Sequence, residues 1–411
     1  MSMQRLVTSV LVLGFVPVSW VAVAVAQSGR TTLSTTARAA NDPPLVPVRL
    51  NADGNFRIAP PYVADPAFTP KPGPVTPTCG MHVTTSITLG ADTPVCTNTS
   101  GIFVDADDVT INLNGHRVHG NGGAATVGIS AVGRNNISIM NGVVQSFEFG
   151  LVTSGQKLKV VNVEFRGHGA GGALVGGSGV VVSNSVFVSN SGTGLFLQDG
   201  TPAAKVSTSF FVNNDGAGLL SHAANAVLAT LTSTHNSNGG LQLESGGNAR
   251  VSGGTFAGNA DGIVVVNGAV PTTITKTAAF GNANEGIETV ATGVGVAIAS
   301  NSVAGNGEHG IRVAGTTDQN VLTKNAVVGN GSNGLFVENL VLATSVAGNT
   351  AVGNANFGIK VDTASGTLTK NAAVANLGIG IATAPTATDG GGNKARDNAG
   401  VADCLPPITC Q

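Results

Sequence analysis

From Gly128 to Ile381 the chain alternates apolar and polar positions in short bursts that return at a nearly fixed interval. Each burst opens on glycine, followed by an apolar residue, an outward candidate and another mostly apolar residue, as in Ile311-Arg312-Val313, Leu335-Phe336-Val337 and Ile359-Lys360-Val361. Alternation of period two marks a strand with one buried face. The leading glycines are Gly128, Gly150, Gly172, Gly194, Gly218, Gly240, Gly262, Gly286, Gly310, Gly334, Gly358 and Gly380, always 22 or 24 residues apart. No unit carries an apolar run of helical spacing, and its Gly, Asn, Ser and Thr disfavour helix. One unit therefore holds two or three short strands joined by turns. It cannot bury its Ile, Leu and Val alone, but stacking on the next unit does so and pairs every strand edge. The expected fold is all-β, a parallel β-helix solenoid of roughly 12–13 coils.

Two asparagine columns fit this reading. Asn282, Asn306, Asn330, Asn354 and Asn376 lie four residues before their glycine, with Asn190, Asn214 and Asn236 in that slot upstream; Asn301, Asn325, Asn349 and Asn371 lie nine before it. Asn tolerates the left-handed backbone that a sharp corner needs. Stacked between coils, its amide can donate to one neighbour and accept from the other.

The repeat, with the phrase Leu113-Asn-Gly-His116 in what reads as the first full coil, resembles the right-handed parallel β-helix superfamily of pectate lyases, polygalacturonases and NosD-like periplasmic proteins. The resemblance covers roughly residues 79 to 403 and implies a right-handed winding. It says little about activity, since one scaffold hosts many chemistries.

Residues 1–26 read as a secretory signal: Arg5, an apolar run through Trp20, then Ala24-Val25-Ala26 as a small-residue cleavage site. The run is long enough that an uncleaved anchor stays open as the alternative; beyond it no apolar stretch is long enough to span a bilayer. Residues 27–78 form a Ser/Thr- and Pro-rich linker, with ten of the 17 prolines between Pro43 and Pro77, a density that favours extended segments. Residues 79–411 are the β-helix domain with its C-terminal cap. Its four cysteines fall two near each end, which suits local disulfides Cys79–Cys96 and Cys404–Cys410 in an exported chain. Pinned ends would protect the solenoid's unpaired strand edges.

Charged residues make up 10% of the chain and the net charge is −2, so no basic field exists to draw nucleic acid or acidic lipid. Trp20 and Tyr62 are the only residues of their kinds, which leaves the rod without either and argues against a deep sugar-stacking cleft.

The repeat also works as a ruler, because matching slots on successive coils lie one strand apart. Two after the glycine stand Glu288 and then Arg312; one before it stand Glu285 and then His309, with Glu308 adjoining. Glu285, Glu288, Glu308, His309 and Arg312 thus converge as an acid/base candidate for polysaccharide chemistry, or as a plain surface ion-pair ladder. Asp105, Asp107 and Asp108 form an acidic loop able to hold Ca²⁺, although a solvated turn explains it as well. His116 and His119 would point to opposite faces, a poor metal pair. Arg166-Gly-His168-Gly is similar to a polygalacturonase phrase, but the companion motifs are missing and His168 falls in the asparagine slot. Val152, Leu174, Phe196, Leu220, Gln242 and Val264 share the outward slot and would form an apolar stripe, open to cover by the Pro-rich segment, a partner chain or a ligand; a shift of strand phase turning some inward is the alternative.

Two functions of different class remain. One is a secreted, periplasmic or cell-surface protein that binds or processes an extracellular polysaccharide as a lyase, hydrolase or epimerase of unassigned reaction. The other is a non-catalytic adhesion or scaffold rod that binds a cell-surface component. Copper delivery of the NosD kind is weaker, because Met and His are sparse.

Overall fold

The structure is a computed structural model that describes residues 74–266 and 271–411, with the backbone of Val48–Leu50 and Phe56–Ile58. The expected signal segment, and most of the linker, lie outside the described residues. The chain divides into two units, residues 1–70 and 71–411. In the first, Val48–Leu50 pairs antiparallel with Phe56–Ile58.

The second unit is the solenoid. Its described elements are all strands, no described helix is long and apolar enough to cross a membrane, and every strand pairing in it is parallel. Fourteen strands stack into one continuous face, from Met81–Val83 to Ile381–Thr383. Two further faces carry the chain back to the start of the next coil. On one of them Val181–Ser183 pairs with Lys205–Ser207, and on the other Val186–Val188 pairs with Phe210–Val212. At about 4.8 Å per strand the fourteen-stranded face is roughly 60 Å long. The glycine ruler holds throughout: Leu195 pairs with Leu219, Glu288 with Arg312 and Arg312 with Phe336. The irregular stretch before Val127 accommodates the longer first coil.

The bore is apolar, with Ile129, Leu151, Ile263, Ile287, Ile311 and Leu335 fully buried. Phenylalanines fill one segment of it, and Phe165, Phe187 and Phe211 stack with ring centroids 5.1 Å apart at each step. Continuous burial of this kind supplies the main driving force of folding.

Both asparagine columns are hydrogen-bonded ladders. Asn282 Nδ2 donates to Asn306 Oδ1 (2.8 Å), Asn306 Nδ2 to Asn330 (2.9 Å) and Asn330 Nδ2 to Asn354 (2.9 Å). The second column runs Asn301, Asn325, Asn349, Asn371 and Asn393 in the same manner. The end residues differ. His168 begins the first ladder, with Nδ1 accepting from Phe147 N (3.2 Å) and Nε2 facing Val144 O (3.1 Å). Asp403 closes it by accepting from Asn398 Nδ2 (2.8 Å), and Asp389 closes the second by accepting from Asn393 Nδ2 (2.9 Å).

One expectation about these corners is corrected. The ladder asparagines are not the left-handed residues; the residue before each of them is, as at Gly305 (φ 61°), Gly329 (φ 61°), Ser300 (φ 58°) and Lys324 (φ 54°). Nor do the repeating glycines supply corner freedom. A Cβ on Gly286 would stand 2.3 Å from Val303 Cγ1, 2.7 Å from Asn306 Nδ2 and 2.7 Å from Gly310 O. Glycine is required there because the stacked amide and the next backbone leave no room for a side chain.

Cys79–Cys96 and Cys404–Cys410 are disulfides, with Cα atoms 5.4 and 6.1 Å apart. Cys96 bridges to Gly120 and Cys404 to Ile381, so each staple sits on a terminal strand edge. Such bonds persist in oxidising surroundings, which places the folded chain outside the reducing cytosol.

Candidate functional site

On the fourteen-stranded face the slot two after each repeating glycine turns outward. In order, this outward ladder includes Leu174, Phe196, Leu220, Gln242, Val264, Glu288, Arg312, Phe336 and Lys360. Its register is unbroken, so the apolar stripe is not a phase slip. The stripe residues are half-buried, and Val264 is buried. At Glu288 the ladder becomes charged.

Arg312 organises this lower half. Its Nη1 donates to the Glu288 carboxylate, while Nε (2.9 Å) and Nη2 (2.7 Å) both donate to Glu338 Oε1. Burial opposes the guanidinium charge, but the bonds from Glu338 and Glu288 more than offset it. One coil further, Lys360 Nζ pairs with Asp362 (2.8 Å) and lies 4.9 Å from the Phe336 ring centroid, a cation–π contact.

Behind Glu288 lies Glu285, only 6% exposed. Its carboxylate has no hydrogen bond or ion pair to any described residue. Asp261, one coil back, accepts from the Glu285 backbone N–H (3.2 Å), and the ligand oxygens of Asp261, Glu285 and Glu288 all lie within 4.8 Å of one another. Burial, then the charges of Glu288, Glu308 and Asp261, push the Glu285 carboxyl up to about 8, with Arg312 opposing. Glu288 is raised for the same first reason, and again Arg312 opposes.

His309 packs against Phe336, ring centroids 5.1 Å apart, and its Nδ1 accepts from Asn333 N (3.2 Å). Burial, helped by Arg312, lowers its pKa. With Nδ1 committed as acceptor, the neutral ring carries its proton on Nε2 and offers a donor. Glu308 is exposed at the rim. The five residues singled out from sequence thus belong to one patch, joined by Asp261, Asn333, Phe336, Glu338 and Lys360, which sequence reading missed. The same ruler would have found all of them but Glu338: Asp261 and Asn333 share the slot of Glu285 and His309, and Phe336 and Lys360 share that of Arg312.

The acidic loop is arranged differently. Asp105 meets His82 Nδ1 (2.6 Å), Asp107 accepts from both nitrogens of Asn135 (2.9 and 3.1 Å), and Asp108 accepts from Asn136 Nδ2 (2.6 Å). The Asn135 backbone bond, then its side-chain bond, lowers the Asp107 pKa. Each carboxylate is committed to a separate partner, so the loop is tied to its neighbouring coils. His116 lies beside Asp92 (3.3 Å) instead of facing His119.

Higher on the same face a shallow bowl of about 460 Å³ is lined by Phe196, Gln198, Asp199 and His222 among others. His222 contacts Glu244 through Nε2 (3.1 Å) and Asp199 through Nδ1 (3.5 Å), with its ring edge-on to Phe196.

Comparison with known proteins agrees with the architecture. The family model described as a right-handed beta helix region matches residues 149–303, and that of the periplasmic copper-binding protein NosD matches 271–399. No curated protein matches the chain in sequence. A variant of the periplasmic alginate epimerase AlgG superimposes with a TM-score of 0.50 at 14% identity, covering 66% of this chain and 77% of that one. The A-module of mannuronan C-5 epimerase AlgE6 from Azotobacter vinelandii gives 0.48 at 13% identity, covering 80% and 90%. The Dettilon tailspike protein gives 0.42 at 13%, covering 78% and 61%. At these identities the likeness concerns the fold. The chain is a right-handed parallel β-helix repeat protein.

Proposed function

We propose that this β-helix repeat protein binds and processes an extracellular polysaccharide on the lower half of its outward ladder. The observation that carries the proposal is the position of Arg312. Its guanidinium is clamped between Glu288 and Glu338 on a solvent-facing strand, with His309 and Phe336 beside it and the buried Glu285 behind. Sugar recognition needs fixed donors and acceptors next to an apolar surface. Arg312, Lys360 and the His309 Nε2–H supply donors; Glu288, Glu338 and Asp362 supply acceptors; Phe336 supplies the apolar surface. Glu285, Glu288, Glu308, His309 and Arg312 are the catalytic set of this reading, with Arg312 and His309 as donors to charge that develops on the polymer. Lyase, hydrolase and epimerase chemistry are all compatible with carboxylates beside a fixed cation.

The disulfides and the β-helix neighbours, among them a periplasmic alginate epimerase, support a periplasmic, secreted or cell-surface location. Copper handling has less support, because residues 271–399 hold one histidine and no cysteine or methionine. A non-catalytic rod is favoured by one feature, the half-buried apolar run from Leu174 to Leu220, which could seat a partner or a second copy.

The test is a screen of acidic and neutral polysaccharides that reads unsaturated products, reducing ends and epimer ratio by NMR. The proposal expects an activity that Arg312→Ala and Glu285→Gln abolish. Binding without turnover, unaffected by either change, would leave the rod.

A further inference from the structure

The face that carries Val181–Ser183 and Lys205–Ser207 holds charge of one sign. Parallel register puts Lys159, Val181, Lys205, Val227 and Arg250 in a single column, so a cation recurs every second coil, at about 9.6 Å for two strand steps. Further down, the cations shift to the other edge of the same face. Lys276, Lys324 and Lys370 directly follow its strands Thr272–Thr275, Asn320–Thr323 and Gly366–Thr369, again two coils apart. Here the interval has a steric cause. The lysines alternate with Ser300, Gly348 and Gly392, and a Cβ would stand 3.7 Å from Lys324 Cγ on Gly348 and 3.1 Å from Lys370 Cγ on Gly392. Each stem lies over the small residue of the next coil. All six cations are exposed, and none forms an ion pair with a described residue. From residues 159–161 to Gly366–Thr369 the strands of this face contain no Asp or Glu. Asp318, in the turn before Asn320, is taken up by the backbone N–H groups of Gln319 (2.8 Å) and Ala343 (3.1 Å). The chain's net charge of −2 is thus a sum over unlike faces.

We infer that this face binds an extended acidic polysaccharide lying along the axis of the solenoid. A file of cations at a fixed interval fits a stiff polyanion of regular charge, whereas a compact anion needs cations that converge. The six span nine strand steps, roughly 43 Å. That is too sparse for duplex DNA, which presents a charge about every 1.7 Å. The strands of this face contain no aromatic residue to anchor in a membrane. Between the cations the surface is small and mixed: Val181 and Val227 stand in the cation column, and Ser183, Ser207 and Ser252 in the next outward slot. Apolar and hydroxyl groups beside a fixed charge match the faces, hydroxyls and acid groups of charged sugar rings. This sheet is separate from the fourteen-stranded one that holds Arg312, so the inference goes beyond the reaction proposed there and does not rest on it.

The experiment is equilibrium binding of fluorescently labelled polygalacturonate to the full chain, read by anisotropy. Binding is expected at about 50 mM NaCl and should weaken at least about tenfold by about 200 mM. The fully methyl-esterified polymer, the same backbone without its charge, should not bind. The triple variant Lys159→Gln, Lys205→Gln, Arg250→Gln should weaken binding at least about tenfold with an unchanged melt, because all three side chains are exposed and unpaired. Arg117→Gln, off this face, should leave it unchanged. No binding at about 50 mM NaCl would overturn the inference, as would equal binding of the esterified polymer or binding to phosphatidylglycerol vesicles in its place. Binding that survives the triple variant and is lost in Arg312→Ala would overturn it too, while leaving the reading of the Arg312 ladder in place.

Discussion

Arg312 stands directly opposite Glu288 in the parallel ladder, and its Nη1 donates to the Glu288 carboxylate. That pairing joins two consecutive coils at the point where the outward face changes from apolar to charged. A charge-assisted bond of this kind contributes about 1.5–3 kcal/mol. Arg312→Ala should therefore destabilise the chain by about 2 kcal/mol, and Glu288→Gln in the same background should recover part of the loss by removing the stranded charge. A double-mutant cycle in denaturant checks this, and additivity of the two changes would speak against the bond.

Glu285 gives the protein a pH signature. Its folded pKa is raised to about 8 from an ordinary value of 4.5, so between those limits the folded state holds a proton that the unfolded state has released. Its contribution to stability is fully present below the unfolded value and is lost as pH rises through the folded one. Tm should fall between about pH 4.5 and 8 relative to Glu285→Gln, and the two curves should then run parallel. A constant offset from pH 4 to 9 would refute the assignment of the shift to Glu285.

His168 should show the opposite slope. Burial lowers its pKa to about 4 from 6.5, so in that window the unfolded chain holds the extra proton. Stability from this residue is present above the unfolded value and is lost as pH falls toward 4. Because the ring does the work of a ladder amide, His168→Asn should keep the fold and remove the pH dependence, whereas His168→Ala should cost about 2 kcal/mol or more through buried groups left unpaired. Urea melts at pH 4.5 and 7 distinguish the two variants.

In the middle of the first ladder the amide is worth more. Asn306 accepts from both nitrogens of Asn282 and donates to Ala279 O and Asn330 Oδ1. Asn306→Ala should cost about 3 kcal/mol or more, since several buried groups lose partners at once. An unchanged denaturation midpoint would show that the ladder does not contribute to stability.

The solenoid was legible because its cause is periodic. The glycine-led alternation, the amide columns and the terminal cysteine pairs each express one physical requirement repeated along the chain, and slot arithmetic alone puts Glu288 on Arg312. The role of the glycines was not legible, because a sequence does not distinguish a residue that must bend from one that must leave space. Gly286 is squeezed between Val303 and the Asn306 amide, while the bend falls on residues as different as Gly305 and Lys324. The wider site was missed for another reason. Asp261 shares the slot of Glu285 and was open to the same ruler, whereas Glu338 lies outside the slots used and only side-chain reach brings it to Arg312. The three aspartates of the first coil are close in sequence, and each turns to a different partner on a neighbouring coil.

The most direct test of the functional account is hydrogen–deuterium exchange of the full chain with and without a polysaccharide that it binds. The account predicts protection concentrated in residues 285–290, 308–313 and 333–338, and its disappearance in Arg312→Ala. Protection confined to residues 105–108, or to the bowl around Phe196 and His222, would contradict it.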